Sequence, residues 1–421
     1  MAETIKILVV DDSLLMRKVI SEILGEIPGI EVVGVAMDGD FALMKLARLS
    51  VDVVILDINM PRMDGLSVLK VIAEQFHIPT IVLSAYTREG AYLTMQALSY
   101  GAADFICKPD EGSLTQNRIA LRNNLLEKIK IAHQITLKQG KHRPTKTGRF
   151  VPNSLPRPDA ELPANDGHLT TKRRIYSPPE QVAVTAGRTS QRIEMLYPKP
   201  VEETKPEEFV NLALANLPKL IAIGASTGGT AAVEKILAAL PSDFPAAVVV
   251  AQHMPKEFTP VFAETLNQHT KLQVTEAYDG QLLMPGAVYI APGDCHMLVK
   301  RVNAQYQIAL DRLGEPVNGL CPSVDILFHS VALAAGKKAF GIVLTGMGKD
   351  GAVGIESIKK AGGHTIAQDE ESCVVFGMPK EAIKTGAIDM ILPLANIHSW
   401  LIYQLTKDEI EPVAAAQKKE I

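Results

Sequence analysis

From Ile5 to about residue 124, short β-branched runs alternate with amphipathic stretches: IKILVV, VVGVA, VDVVILD, IPTIVLS and ADFIC are separated by helix-like spacing. Five such βα units predict a doubly wound parallel sheet whose ligand site lies at the carboxyl ends of the strands. Asp11, Asp57 and Ser84 all fall at those ends. The fifth helix is expected to run on through NRIALRNNLLEKIKIAHQI, to about residue 138. A second series begins near Pro218, where KLIAIG, AAVVVAQ, GAVYIAP, AFGIVLTG and HTIAQ read as strands and SVDILFHSVALAA and AVGIESIKKAG as helices. No internal repeat is evident between the two halves. The pattern predicts an α/β protein of two doubly wound domains, over 1–124 and 218–404.

Between them, over 139–217, the periodicity is lost in proline-rich stretches such as KHRPTKTGRFVPNSLPRPDAELPAND. Low hydrophobicity and frequent proline do not repay ordering entropy, so a long flexible linker is expected. Its basic cluster at Lys172, Arg173 and Arg174 reads as a solvated face. Residues 405–421 read as a polar tail.

Composition narrows the function classes. A chain of 421 residues exceeds one core, and 47% apolar content supports two filled ones. The net charge of −4 leaves no global footprint for nucleic acid or an anionic membrane. Cys107, Cys295, Cys321 and Cys373 include no C-x-x-C pair, so neither a disulfide framework nor a zinc site is suggested. The start, MAETIKILVVDDS, lacks a basic segment followed by a long apolar run, and no stretch of about 20 apolar residues occurs. A cytoplasmic protein without membrane insertion is expected.

The first half carries an acidic pocket: Asp11, Asp12 and Asp57 place three carboxylates at neighbouring strand ends, which is unfavourable unless a cation neutralises them. Mg²⁺, a hard ion with oxygen ligands, is the natural occupant. Asp57 can then accept a phosphoryl group while the metal and Lys108 neutralise the developing charge. The set Asp11-Asp12, Asp57, Ser84 and Lys108-Pro109 resembles a two-component receiver domain. That resemblance implies a flavodoxin-like (βα)₅ fold with Asp57 as phosphoacceptor and a sensor histidine kinase as phosphodonor. It also implies Asp12 and Asp57 as metal ligands with Asp11 nearby, Asn59 as a ligand through its carbonyl, and Ser84 and Phe105 as the switch residues.

The second half raises the question of Ser226, held in GASTGG at a strand-to-helix turn. The G-x-S-x-G spacing suits a hydrolase nucleophile, and the glycines suit a phosphate loop. No lysine follows the glycines as a Walker loop demands, and no acidic residue clearly closes a ribose site about 20 residues on. A nucleophile needs a base and an orienting acid. His253 and His296 both stand at strand ends, and the residues alone do not choose between them. Asp350, in the glycine-rich turn of LTGMGKDG, is favoured as the acid over Asp294 and Asp369.

GASTGG, AQHMP, APGDCHM, PSVD and LTGMGKDG together resemble the catalytic domain of the chemotaxis protein-glutamate methylesterases, a family in which a receiver precedes that domain. The resemblance implies Ser226 as nucleophile, His253 as general base and acid, Asp350 as its orienting partner, and the backbone N–H groups of Met347 and Thr227 as oxyanion donors. It further implies demethylation of γ-glutamyl methyl esters on chemoreceptor helices, deamidation of receptor glutamines, no cofactor for ester hydrolysis, and a monomer. A receiver docked over the cleft until Asp57 is phosphorylated is expected. The linker is longer than is usual in the family, and Gly319 and Cys321 replace bulkier residues near the cleft. The rival readings are an adaptor with a degenerate esterase domain and a receiver-regulated nucleotide-binding protein.

Overall fold

The computed structural model describes residues 4–61, 63–108, 118–138 and 217–417. The stretch assigned to the linker lies outside them apart from Leu217, as does Pro109.

Five parallel strands, β1 (Ile5–Val10), β2 (Ile30–Ala36), β3 (Val53–Asp57), β4 (Thr80–Ser84) and β5 (Asp104–Cys107), form a sheet in the order β2-β1-β3-β4-β5. Helices α1 (Leu14–Gly25), α2 (Gly39–Leu46), α3 (Gly65–Val71), α4 (Arg88–Ser99) and α5 (Arg118–Lys138) cover it. The first four start where the sequence supplies a short polar side chain. Ser13, Asp38, Asp64 and Thr87 accept the N–H of Met16, Phe41, Ser67 and Gly90. Every residue of β3 and β4 is buried, which explains their uninterrupted apolar runs. The strand order is that of the expected flavodoxin-like fold.

A second parallel sheet contains β6 (Lys219–Ala225), β7 (Ala246–Gln252), β8 (Gln273–Glu276) and β9 (Ala287–Ile290). An antiparallel hairpin, β10 (His296–Val302) with β11 (Gln305–Asp311), follows, and β12 (Ala339–Val343), β13 (His364–Gln368) and β14 (Met390–Leu392) complete the sheet. Its order is β14-β13-β12-β6-β7-β9-β8. The helices are α6 (Gly229–Ala238), α7 (Thr259–His269), α8 (Val324–Ala335), α9 (Ala352–Lys360), α10 (Met378–Lys384) and α11 (Leu394–Gln417). Residues from 405, read as a polar tail, instead continue α11 to Gln417.

The winding reverses at β6, with β7, β9 and β8 on one side and β12, β13 and β14 on the other. Such a reversal opens a crevice beyond the carboxyl ends of the central strands. The register pairs Ala225 with Gln252 and Gly224 with Val343, so the residues that follow β6, β7 and β12 emerge side by side. Gly224 permits this. A Cβ there would lie 2.1 Å from Val324 Cγ1, so only glycine lets the start of α8 close on the end of β6.

Candidate active site

Ser226 is the first residue after β6. Its N–H donates to Thr345 O at 3.1 Å, and its carbonyl accepts from Gly229 N at 2.7 Å. Gln252, 3% exposed at the end of β7, donates through Nε2 to Ser226 O at 2.9 Å and to His253 O at 3.3 Å. One buried amide therefore ties the serine's peptide to that of the neighbouring histidine. The turn itself is carried by Gly228, with φ +75° and room for no side chain, since a Cβ would lie 2.6 Å from Val374 Cβ. Ser226 is not at positive φ. The strained serine of the hydrolase elbow is therefore absent, and the left-handed residue is the glycine two positions on.

The two histidines separate clearly. His253 Nε2 lies 2.8 Å from Asp350 Oδ2. His296 is 1% exposed and serves a loop: its Nδ1 accepts from Ser323 N at 3.1 Å and its Nε2 donates to Glu315 O at 3.0 Å. Asp350, 1% exposed, also accepts from Ser323 Oγ at 2.9 Å and from the N–H groups of Val324 at 2.7 Å and Asp325 at 3.0 Å. Burial works against its charge, but the His253 hydrogen bond and charge, with the N–H donors, hold the carboxyl below its ordinary range. Of the two weaker acids, Asp294 lines the cleft, while Asp369 accepts from Ser372 N away from His253.

Ser226 and His253 share one cavity of about 530 Å³ with Thr227, Gly319 and Cys321. Ser226 Oγ makes no hydrogen bond among the described residues, and Nδ1 is the imidazole nitrogen not engaged with Asp350. Gly346 packs directly on the serine, its missing Cβ falling 2.7 Å from Ser226 Cβ. The next N–H, that of Met347, and the N–H of Thr227 have no hydrogen-bond partner among the described residues. Both N–H groups are therefore free to donate, one from the residue after Ser226 and one from the residue after Gly346.

In the first sheet, Asp11, Asp12 and Asp57 each offer a carboxylate oxygen, all within 4.8 Å of one another. Lys108 Nζ lies 2.7 Å from Asp57 Oδ2 and 2.8 Å from Asp11 Oδ2, the latter an ion pair without a directed hydrogen bond. Burial raises Asp57 to about 6 despite Lys108, while Asp57 and Asp11 raise Lys108 against the effect of its own burial. Three carboxylates brought this close, two of them buried, fit a hard divalent cation such as Mg²⁺. Asn59, exposed, donates its N–H to Asp57 Oδ1 at 3.2 Å. Ser84 Oγ donates to Gly90 O at 3.0 Å and Ala85 O at 3.3 Å.

The two sheets belong to one compact unit, and the first presents β5 and α4 to the cleft of the second. Phe105 stacks on Phe258 with ring centroids 4.7 Å apart. Arg88 pairs with Glu264 at 2.5 Å, and Tyr92 also reaches Glu264. Asp104, 6% exposed, accepts from Lys128 Nζ at 2.8 Å and from Thr227 Oγ1 at 2.7 Å. A carboxylate of the first sheet thereby grips the residue after Ser226. Sequence reading missed Asp104 and Gln252, although each is a polar residue breaking an apolar strand, in ADFIC and AAVVVAQ.

Two families match the chain: CheB methylesterase over residues 221–401 and response regulator receiver domain over 7–119. A protein-glutamate methylesterase/protein-glutamine glutaminase 2 of Pseudomonas syringae pv. tomato is 41% identical over 400 residues, 95% of this chain and 99% of that protein. A protein-glutamate methylesterase/protein-glutamine glutaminase of Hydrogenovibrio crunogenus is 39% identical over 405 residues, 96% of this chain and 99% of that protein. The crystal structure of the Thermotoga maritima CheB methylesterase catalytic domain is 44% identical with a TM-score of 0.43, covering 44% of this chain and 98% of that one.

Proposed function

Since the chain belongs to the chemotaxis protein-glutamate methylesterase family, in which a receiver precedes a CheB methylesterase domain, we propose that it removes methyl groups from γ-glutamyl esters of chemoreceptor helices in the cytoplasm. The observation that carries this reading is the 2.8 Å contact between His253 and the buried Asp350, in the cleft that Ser226 shares.

Ser226 Oγ attacks the ester carbonyl while His253 takes its proton on Nδ1. Asp350 holds Nε2 and stabilises the imidazolium. The N–H groups of Met347 and Thr227 receive the tetrahedral oxyanion. Its collapse expels methanol, which leaves with the proton from His253. Water, activated by the same imidazole, then cleaves the glutamyl-serine ester and frees the carboxylate. A glutamine side chain meets the same groups and loses ammonia instead, so deamidation belongs to the same cleft.

Control enters through Asp57, whose carboxylate takes a phosphoryl group from a sensor histidine kinase. Asp11, Asp12, Asp57 and the Asn59 carbonyl would hold Mg²⁺, which supplies neutralising charge for that transfer. Lys108 steadies the product, and Ser84 turns from the Gly90 carbonyl to the new phosphoryl oxygens. Phe105 and Asp104 stand on the strand leading to Lys108, so this rearrangement loosens their hold on Phe258 and Thr227. The docked receiver occludes the cleft from a receptor helix, and the undocked one opens it.

Methanol release from methylated receptor membranes tests the proposal. The full chain should release methanol faster with acetyl phosphate and Mg²⁺, and Ser226→Ala should lose on the order of 10⁴-fold in turnover. More than about a tenth of wild-type activity in Ser226→Ala would remove the serine from the reaction.

A further inference from the structure

Helices α8 and α9 begin side by side, and each is capped by an aspartate from the other's N-terminal turn. Asp350, just before α9, accepts the N–H groups of Val324 and Asp325 at the start of α8. Asp325, in the first turn of α8, accepts the N–H groups of Gly351 at 2.9 Å and Gly354 at 2.7 Å at the start of α9, both on Oδ1. Close approach demands the glycines: φ at Gly351 is +94°, and a Cβ on Gly354 would lie 2.9 Å from Asp325 Cα. Asp350 therefore cannot swing relative to α8 without breaking the bonds that Asp325 makes to its own turn.

We propose that Asp325 is a positioning residue of the hydrolytic site, its carboxylate fixing the 351–354 turn and, through it, the orientation in which Asp350 holds the His253 imidazole. The proposal rests on the reading of Ser226, His253 and Asp350 as the catalytic triad.

A cap that served only the two helices would do as well with asparagine, which offers the same acceptor without a charge. The residue present is instead a second carboxylate set against Asp350. Burial raises its proton affinity, the Gly354 N–H opposes that, and the charge of Asp350 adds to it. The titratable groups that bear on Asp325 are Asp350, from the turn before α9, and beyond it His253, from the end of β7. The imidazolium formed in each half-reaction thus meets Asp350, with Asp325 as a second carboxylate behind it that holds the turn following Asp350.

The test measures kcat and KM for methanol release across pH 5–9 with the full-length protein. Asp325→Ala removes acceptor and charge, and should lower kcat by about 10- to 100-fold with KM within about twofold of wild type, because positioning acts on the reacting geometry. Asp325→Asn keeps the acceptor. It should recover most of that loss at pH 8 and move the acid limb of kcat/KM to lower pH by about half a unit, since a charge that favoured the imidazolium is gone. An Asp325→Asn limb coincident with wild type overturns the proposal, as does an Asp325→Asn rate no better than that of Asp325→Ala. If Asp325→Ala fails to fold by circular dichroism, the Asp325→Asn limb alone decides. Ser226→Ala, run alongside, separates the two readings: activity in that variant sinks the triad itself. A dead Ser226→Ala with an unmoved Asp325→Asn limb sinks only the positioning role.

Discussion

His253 and His296 end comparable segments of sequence, and only their hydrogen-bond partners tell them apart. His253 faces Asp350, whereas His296 clips Ser323 N and Glu315 O, 8 residues apart on a loop that borders the cleft. Replacing each with alanine should therefore give different failures. His253→Ala should lose at least about 100-fold in kcat for methanol release, the scale of general-base loss, with little change in thermal unfolding. His296→Ala frees the buried Ser323 N–H and a part-buried carbonyl at Glu315, so it should cost on the order of 1–3 kcal/mol in stability and raise KM more than it lowers kcat. Equal kcat losses would mean that the base is wrongly assigned. The contrast shows where residue-level reading stops. That a histidine ends a strand is visible in the sequence, but which carboxylate it meets depends on a turn 97 positions away. Asp325 was hidden for the same reason, since its partners are backbone N–H groups that every sequence possesses.

At the level of elements, the apolar runs located the long parallel strands, most of them because burial on both faces leaves no polar alternation to confuse the reading, and the edge strand β2 through its valines alone. The strands that escaped were of two kinds. β8 and β14 are edge strands of 4 and 3 residues that are largely not buried, so no buried apolar run marks them as it does the equally short β5 and β9. The β10–β11 hairpin carries charged and polar side chains at Lys300, Arg301 and Gln305, so its pattern resembles a loop. The turn between β6 and α6 was legible because glycine is its mechanism. Gly228→Ala puts an L side chain at φ +75° and within 2.6 Å of Val374 Cβ, so about 1–3 kcal/mol of strain is expected. That should lower the melting midpoint by about 2–12 °C, given about 2–4 °C per kcal/mol for a domain of this size, and slow hydrolysis by displacing Ser226. An unchanged midpoint would mean that the turn relaxes freely.

For the whole molecule, the decisive surface is where β5 and α4 meet the cleft, and no sequence pattern marks it, because its residues are ordinary members of their own elements. Breaking it in the full chain should mimic phosphorylation. Asp104→Ala removes the hydrogen bond to Thr227 and should raise basal methanol release several-fold without acetyl phosphate, leaving less for phosphorylation to add; no increase would argue against occlusion. A chemical reporter of the same event is built in. Cys107 lines the shared cavity, and burial, opposed by Lys128 and reinforced by Glu257, pushes its thiol up to about 12. Alkylation of Cys107 at pH 8 should therefore be slow in the resting protein and faster once acetyl phosphate and Mg²⁺ are added. An unaltered rate would mean that phosphorylation leaves this surface closed.

The grip of Asp104 on Thr227 also binds the two sites in the opposite direction. If phosphorylation favours the open cleft, then whatever keeps the cleft open must favour phosphorylation by the same equilibrium factor, since coupling between two binding events is reciprocal. A receptor helix seated at Ser226 would thus hold the protein in its phosphorylated form, so that abundant substrate sustains the signal that permits its own demethylation. A fluorophosphonate adduct on Ser226 that carries a group larger than the shared cavity of about 530 Å³ should imitate this and raise the steady-state level of phospho-Asp57 at a fixed concentration of acetyl phosphate. The enzyme would then read its substrate supply as well as its kinase.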